Sequence, residues 1–319
     1  MSQEKQYFVL AFYIFTPIEK PQAEVAKHHL FFKERDICSR IYISHEGING
    51  QMSAEKSHAI EYMEWMKQDS RFQGIEFKIH TYHEHVFPRM SVKFREQLVA
   101  LDFPADPKEG GEHVSPAEWK RMLEEKDENV ILVDVRNDYE WKIGHFEGAL
   151  KPELDTFRKF PDYARKLKQQ YSPDKTKVMM YCTGGIRCEL YSALMKKEGF
   201  EHVYQLDGGV IKYGLQEGDE HWRGKLFVFD DRLAVPIEED AEVESISSCQ
   251  FCSAPCDIYY NCANMDCNNL YICCSACAEK HQGCCGQTCE MAERRRPYEK
   301  TDRPKPFRRK HCYEKIGTL

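Results

Sequence analysis

The stretch KVMMYCTGGIRCELYSALMKKEGF, residues 177–200, decides how the central part of the chain folds. An apolar run of strand length ends at Cys182, two glycines follow, and a helical pattern begins near Cys188. A strand that turns at once into a helix is the unit of a parallel α/β sheet, and such sheets carry their sites at the carboxyl ends of strands. The N–H groups of the turn and the helix dipole converge on one point and form an anion nest. A thiol held there ionises more readily than a free one. Gly184 and Gly185 let the backbone curl, Arg187 adds charge at the rim, and Thr183 and Ile186 complete the loop. Cys182 is therefore the candidate nucleophile. The plainer reading is a buried cysteine beside a glycine turn, and the coincidence of strand end, double glycine, arginine and helix start argues against it.

The spacing separates two chemistries. Cysteine phosphatases use Cys-x5-Arg, a ring wide enough for phosphate, whereas Cys182 to Arg187 is Cys-x4-Arg. A ring one residue shorter suits a single sulfur or oxygen atom on the cysteine. Cys188 is either a resolving thiol that reduces an oxidised Cys182 or a small residue packing on the sheet.

On either side of this stretch, NVILVDVR (129–136) and HVYQLDGG (202–209) read as further strands. In VSPAEWKRMLEEK, from residue 114, Ser115 caps a helix, Pro116 suits its first position and Glu118 completes a capping box. An α/β domain is expected over 114–224. Asp134 and Arg136 end a strand beside the loop; they either orient it and bind substrate phosphate or form a structural ion pair. His145 is read as a turn residue rather than a proton carrier.

Upstream, the strand and helix patterns run β-α-β-β-α-β, which points to a ferredoxin-like (acylphosphatase-like) α+β domain over 1–101. Its last strand candidates are 75–80 and 91–101, and the helix at 54–69 places Ile60, Met63 and Met66 on one face. The Pro-, Gly- and acid-rich segment 102–113 reads as a linker. His80, His83 and His85 are spaced like ligands but read as a solvated loop.

Downstream, twelve of the fifteen cysteines follow residue 248. No apolar run reaches the roughly 18–20 residues that span a bilayer. The polar start lacks a signal-peptide cleavage pattern. A cytoplasmic protein with reduced, metal-binding cysteines is expected. Four couples stand out: Cys249/Cys252, Cys262/Cys267, Cys274/Cys277 and Cys285/Cys289. Tetrahedral zinc needs four soft ligands. Alternate pairing would join the first couple to the third and the second to the fourth. Sequential pairing, substitution by Cys256, Cys273 or Cys284, and an iron–sulfur cluster are the alternatives. The region 225–319 is thus a small metal-stapled unit in which 249–290 could hardly bury a core of its own. The formal charge of −7 does not suggest nucleic acid, but the tail from Arg294 is strongly basic, either a solvated end or a polyanion contact.

The segments LVDVRNDYEWKIGHFEGAL (132–150), YCTGGIRCE (181–189) and LDGGVIKYG (206–214) resemble a rhodanese domain. Joined to HEGINGQMS (45–53), WRGKLFVFDDRLAVP (222–236) and the cysteine cluster, they resemble the rhodanese-like tRNA uridine hydroxylases. The resemblance implies oxygen-dependent conversion of the wobble uridine of tRNA to 5-hydroxyuridine. Cys182 matches the active-site cysteine, molecular oxygen is the co-substrate, and an external reductant is required. It also implies that the 45–53 stretch, with Lys93 and Arg95, faces RNA, a simple hairpin turn being the alternative. Two other functions fit the same residues: a sulfurtransferase carrying a Cys182 persulfide, and a zinc-stapled RNA-binding protein.

Overall fold

Nine residues, Tyr7–Phe15, alternate their side chains across a strand, β1, and send Leu10 and Phe12 into one core and Val9, Ala11 and Tyr13 to the opposite face. A computed structural model describes residues 6–101, 103–125, 127–151, 159–239, 241–301 and 303–306. After β1 come α1 (Pro21–Phe32), β2 (Ile37–Ser44), β3 (Gly47–Glu55), α2 (Lys56–Gln68), β4 (Glu76–Tyr82) and β5 (Val92–Phe94). The sheet order is β4-β1-β3-β2-β5, antiparallel except that β5 runs parallel to β2. The first four strands have the ferredoxin-like order. Phe32, Tyr62 and Met66 from the two helices close the core over Leu10, Phe12, Ile41 and Met52.

Two local expectations change here. The buried stripe of α2 is Ala59, Tyr62 and Met66, while Ile60 is exposed. A spacing of three residues drifts around a helix, and the large Tyr62 ring claims the core instead. Of 91–101 only Val92–Phe94 forms a strand; the chain beyond it tucks Leu98, Val99 and Leu101 inward without pairing.

The chain continues through β6 (Glu112–Val114), α3 (Pro116–Glu124), β7 (Val130–Asp134), α4 (Asp138–Ile143), β8 (Gly144–Phe146), α5 (Phe160–Gln170), β9 (Lys177–Tyr181), α6 (Ile186–Lys197), β10 (His202–Leu206) and α7 (Gly209–Glu217). A parallel sheet of order β6-β10-β9-β7 is flanked by helices. Ser115 caps α3 by accepting the Glu118 N–H at 3.3 Å, but the Glu118 carboxylate pairs with Arg121 at 2.8 Å, so the capping box is half made. The end of the segment read as a linker, Glu112 and His113, is part of β6. Gly111 donates its N–H to Ser192 Oγ at 2.8 Å, and a Cβ on Gly111 would lie 2.6 Å from the Val203 carbonyl oxygen. Its glycines serve close packing rather than flexibility.

The remaining elements are β11 (Trp222–Gly224), β12 (Leu226–Phe227), β13 (Ala234–Val235), β14 (Tyr259–Asn261), β15 (Leu270–Ile272), α8 (Ser275–Lys280) and α9 (Gln287–Glu290). Contacts divide the chain into two units: residues 1–137 with 148–220, and residues 138–147 with 221–319. The second unit borrows β8, which pairs antiparallel with β11. It also buries a core that composition did not promise, with Ile143, Phe227, Tyr259, Tyr271 and Ile272 packed among the cysteines. Tyr259 donates to the Tyr139 carbonyl, tying β14 to the borrowed segment.

Candidate active site

Val178–Tyr181 are fully buried in β9, and the strand delivers Cys182 to its carboxyl end with no exposed surface. Gly185 takes φ +100° and turns its N–H onto Cys182 Sγ at 3.1 Å. Arg187, in the first turn of α6, reaches back to Thr183 Oγ1 at 3.2 Å and closes the ring. Burial opposes ionisation of Cys182. The Cys188 thiol, the Arg187 charge and the Arg187 and Cys188 backbone N–H groups outweigh it and bring the pKa down to about 5. Cys188 is driven the other way, well above a normal thiol, by burial and by the neighbouring thiolate. The pair is therefore split into one ionised and one protonated sulfur.

Asp134 and Arg136 are both buried and bound to each other, with Arg136 Nη2 to Asp134 Oδ2 at 2.7 Å. The Tyr181 hydroxyl donates to the same Asp134 oxygen at 2.8 Å, so the pair holds the residue just before Cys182. This arrangement orients the strand end.

The N-terminal sheet also reaches the loop, through residues that sequence alone did not single out. Lys78 of β4 is buried and donates from Nζ to the Gly184 carbonyl at 3.1 Å, lying 4.9 Å from the centre of the Tyr13 ring. Burial lowers its pKa. The Tyr13 hydroxyl donates to Glu189 Oε1 at 2.7 Å. The other oxygen of Glu189 meets His113 Nε2 at 3.2 Å and accepts from Gln205 at 3.3 Å. Asp207, 3.6 Å from His113 Nδ1, joins Glu189 in holding the imidazole protonated to about pH 10. Asp207 also pairs with Lys212 at 2.6 Å, and Lys212 with Glu76 at 2.8 Å. A pocket of about 490 Å³ opens beside this network, lined among others by Tyr13, His45, Lys78, Glu189 and Gly208. The alternation of β4 did mark Glu76, Lys78 and His80 as facing away from the helices, but nothing local said that a second domain would meet them.

His145 stacks on Trp141 with ring centres 3.8 Å apart and its Nδ1 lies 2.9 Å from the Trp141 carbonyl; it sits in β8 opposite Arg223 rather than in the turn expected of it. His85 bridges Ser53 and Asp36, and His80, His83 and His85 form no ligand group among the described residues.

In the second unit the cysteine couples pair alternately: Cys249, Cys252, Cys274 and Cys277 form one cluster, and Cys262, Cys267, Cys285 and Cys289 the other, with all sulfurs of each cluster within 4.8 Å. Cys252 and Cys274 are 3.8 Å apart, Cys267 and Cys285 3.7 Å, and Cys285 and Cys289 3.8 Å. A tetrahedron with metal–sulfur arms of about 2.3 Å has edges of about 3.8 Å. Both clusters thus fit one ion each, and edges this short leave no room for a multi-iron cage. Four thiolates fill the coordination sphere, so these ions would brace the fold rather than bind a reactant. Cys256, Cys273 and Cys284 are buried outside both sets. The start of the basic tail docks on the same unit: Arg296 donates to the carbonyls of Asn261 and Cys262 at 2.7 and 2.6 Å, and Arg294 pairs with Asp266. The expectation for the rest of the tail, from residue 307, lies outside the described residues.

Residues 7–98 match the UPF0176 acylphosphatase-like domain, 115–215 the rhodanese-like domain, and 223–290 the rhodanase C-terminal domain. A tRNA uridine(34) hydroxylase of Protochlamydia amoebophila is 57% identical over 99% of this chain and 98% of its own length. The chain belongs to the tRNA uridine(34) hydroxylase family. Other members of the hydroxylase family, from Chlamydia trachomatis serovar D and Chlamydia felis, are 55% and 54% identical over 97% and 98% of the chain, and 94% and 95% of their own lengths. Among the described residues no helix is long and apolar enough to cross a membrane.

Proposed function

We propose that this chain is a cytoplasmic enzyme that hydroxylates C5 of uridine 34 in tRNA, with Cys182 as the reacting group. The observation that carries this reading is a buried cysteine whose Sγ accepts the Gly185 N–H at 3.1 Å inside a four-residue ring that Arg187 closes, set in a chain alike over nearly its full length to hydroxylases of that substrate. Molecular oxygen is the co-substrate: one oxygen atom enters the C5–H bond, the other leaves as water, and an external reductant supplies two electrons. Cys182, as thiolate, can take up dioxygen as a peroxy-thiol, which gives one oxygen atom to C5 and is left as a sulfenate. Arg187 and the N–H groups of the loop stabilise the negative charge that results. Cys188, kept protonated beside it, is placed to condense with a sulfenate, forming a disulfide and releasing water. An external dithiol then restores both thiols. Asp134 and Arg136 hold the strand end that presents Cys182. Zinc is the metal that the two four-thiolate clusters suit best, as structural ions.

A persulfide carrier is the second reading, favoured by the same small ring, which accommodates sulfur as readily as oxygen. Mass spectrometry of tRNA from cells lacking the gene, complemented with wild type or Cys182→Ala, separates the two. Loss of 5-hydroxyuridine derivatives restored only by wild type supports hydroxylation, loss of thiolated uridine supports sulfur transfer, and full hydroxylation with Cys182→Ala excludes the proposed role of Cys182.

A further inference from the structure

The N-terminal sheet has a face that the helices do not cover. Strand register sets one straight row across it: Tyr13 on β1 opposes Asn49 on β3, Asn49 opposes Tyr42 on β2, and Tyr42 opposes Lys93 on β5. The adjacent row runs from Ala11 through Gln51 to Arg40. Both ends of this face are occupied. Val86 and Phe87 cover Val9 at one end, and at the other Lys78 and Tyr13 are engaged with the Cys182 loop and the helix behind it. Between them Arg40, Tyr42, Asn49 and Gln51 remain half-buried, and Lys93 and Arg95 are exposed. The Arg95 guanidinium lies 5.1 Å from the centre of the Tyr42 ring.

We propose that this open face, from Lys93 and Arg95 through Tyr42 and Asn49 to Tyr13, is the docking surface for a single-stranded RNA segment whose target base is passed to the Cys182 loop. The proposal rests on the tRNA reading above and extends it to a surface. Charge complementarity is the first argument. The chain carries a formal charge of −7, yet from β1 to β5 the two rows hold Arg40 and Lys93, with Arg95 beside them, and no acid; on β4 the rows continue as Lys78 and as Glu76, which is paired with Lys212. Shape and chemistry are the second. Single strands are bound by aromatic rings and guanidinium planes on which bases stack, with polar side chains reading the base edges. Tyr42 with Arg95 supplies the stacking plane, and the Asn49 and Gln51 amides supply donors and acceptors. Continuity is the third. On β1 the row reaches Tyr13, which opposes Glu76 on β4, and a Cβ on Gly185 would lie 2.8 Å from the Tyr13 hydroxyl. From Lys93 to Tyr13 is three strand spacings, about 14 Å, a length that a few unstacked nucleotides span. A base inside a duplex would have to leave its stack first, at a cost an unpaired loop avoids.

The test uses the full chain and two labelled probes, an RNA hairpin with a uridine-containing single-stranded loop and a blunt RNA duplex of equal length, followed by fluorescence anisotropy over a range of salt. Tyr42→Ala should weaken hairpin binding about tenfold and leave duplex binding unchanged, while Tyr42→Phe, which keeps the ring, binds as wild type. Lys93→Glu and Arg95→Glu should each lower the slope of log affinity against log salt by about 0.7 per lost phosphate contact. Unchanged hairpin affinity in Tyr42→Ala and Lys93→Glu, with melting temperatures equal to wild type, overturns the proposal. So does equal binding of hairpin and duplex by wild type, or a dimer of this chain broken by Tyr42→Ala with RNA binding unmoved. Hydroxylation assayed in parallel keeps the two readings apart. RNA binding through this face without hydroxylation by wild type sinks the reaction and leaves the surface; hydroxylation undiminished in the face variants does the reverse.

Discussion

The Tyr13 hydroxyl donates to Glu189 at 2.7 Å across 176 residues of sequence, so the first strand of the chain holds the helix that follows the Cys182 loop. Tyr13→Phe removes this bond and leaves the Glu189 carboxylate to His113 and Gln205. A hydrogen bond to a charged group contributes about 1.5–3 kcal/mol, and a loss of that order is expected in denaturant unfolding, together with slower hydroxylation. Unchanged stability and activity would show that the contact does not couple the two.

Cys182 ionises near pH 5 although burial opposes it. The ultraviolet thiolate absorbance lost in Cys182→Ser, measured as a difference from wild type, should hold constant above pH 6 and fall through about 5. Cys188→Ala removes the first of the stabilising contacts, and Lys78→Met removes a buried cation from the loop; both should raise the midpoint. The sign for stability follows. A folded pKa below the unfolded one contributes most above the ordinary thiol range, and the contribution disappears as pH falls through about 5.

His113 behaves in the opposite sense. Asp207 and Glu189 raise its pKa to about 10. Its contribution to stability is complete below the ordinary imidazole value near 6.5 and is lost as pH rises toward 10. Since the side chain is 48% exposed, solvent screening limits the effect to about 1 kcal/mol. Imidazole NMR signals should show His113 protonated at pH 8, and His113→Gln should flatten the alkaline loss of stability. Titration near 6.5 would contradict the arrangement.

Two ions per chain are expected by elemental analysis, zinc rather than iron. Cys267→Ser or Cys252→Ser should each cost one ion and melt part of the second unit, because binding of structural zinc, about 10–16 kcal/mol in small domains, is folding free energy. Cys256→Ser should retain both. Loss of metal from Cys256→Ser with retention in Cys267→Ser would reverse the assignment.

What could be read in advance was what short-range rules govern. The ends of β1 and β2, the Ser115 cap and the curl at Gly185 follow from spacing and local backbone chemistry, whereas spacing left alternate and sequential pairing of the cysteine couples both open. What could not be read depends on partners far away in sequence. Lys78 looks like a solvent-facing residue of an amphipathic strand until Gly184 is brought to it, and Glu189 looks like an ordinary helix acid until Tyr13, His113 and Gln205 surround it. Gly110 and Gly111 have the composition of a linker, and only the proximity of Ser192 and Val203 turns them into packing residues. The second unit was underestimated for the same reason, since its core includes Ile143 from the middle of the chain.

The second glycine of the loop answers to two masters. Its φ of +100° is one that side chains rarely adopt, and the hydroxyl of Tyr13 stands where its Cβ would be. A free-standing loop of this kind would have only the first restriction. Here the turn of backbone around Cys182 is fitted to the surface of the N-terminal sheet. Expressed without the N-terminal sheet, the central domain would lose the Tyr13 and Lys78 contacts against which this turn closes.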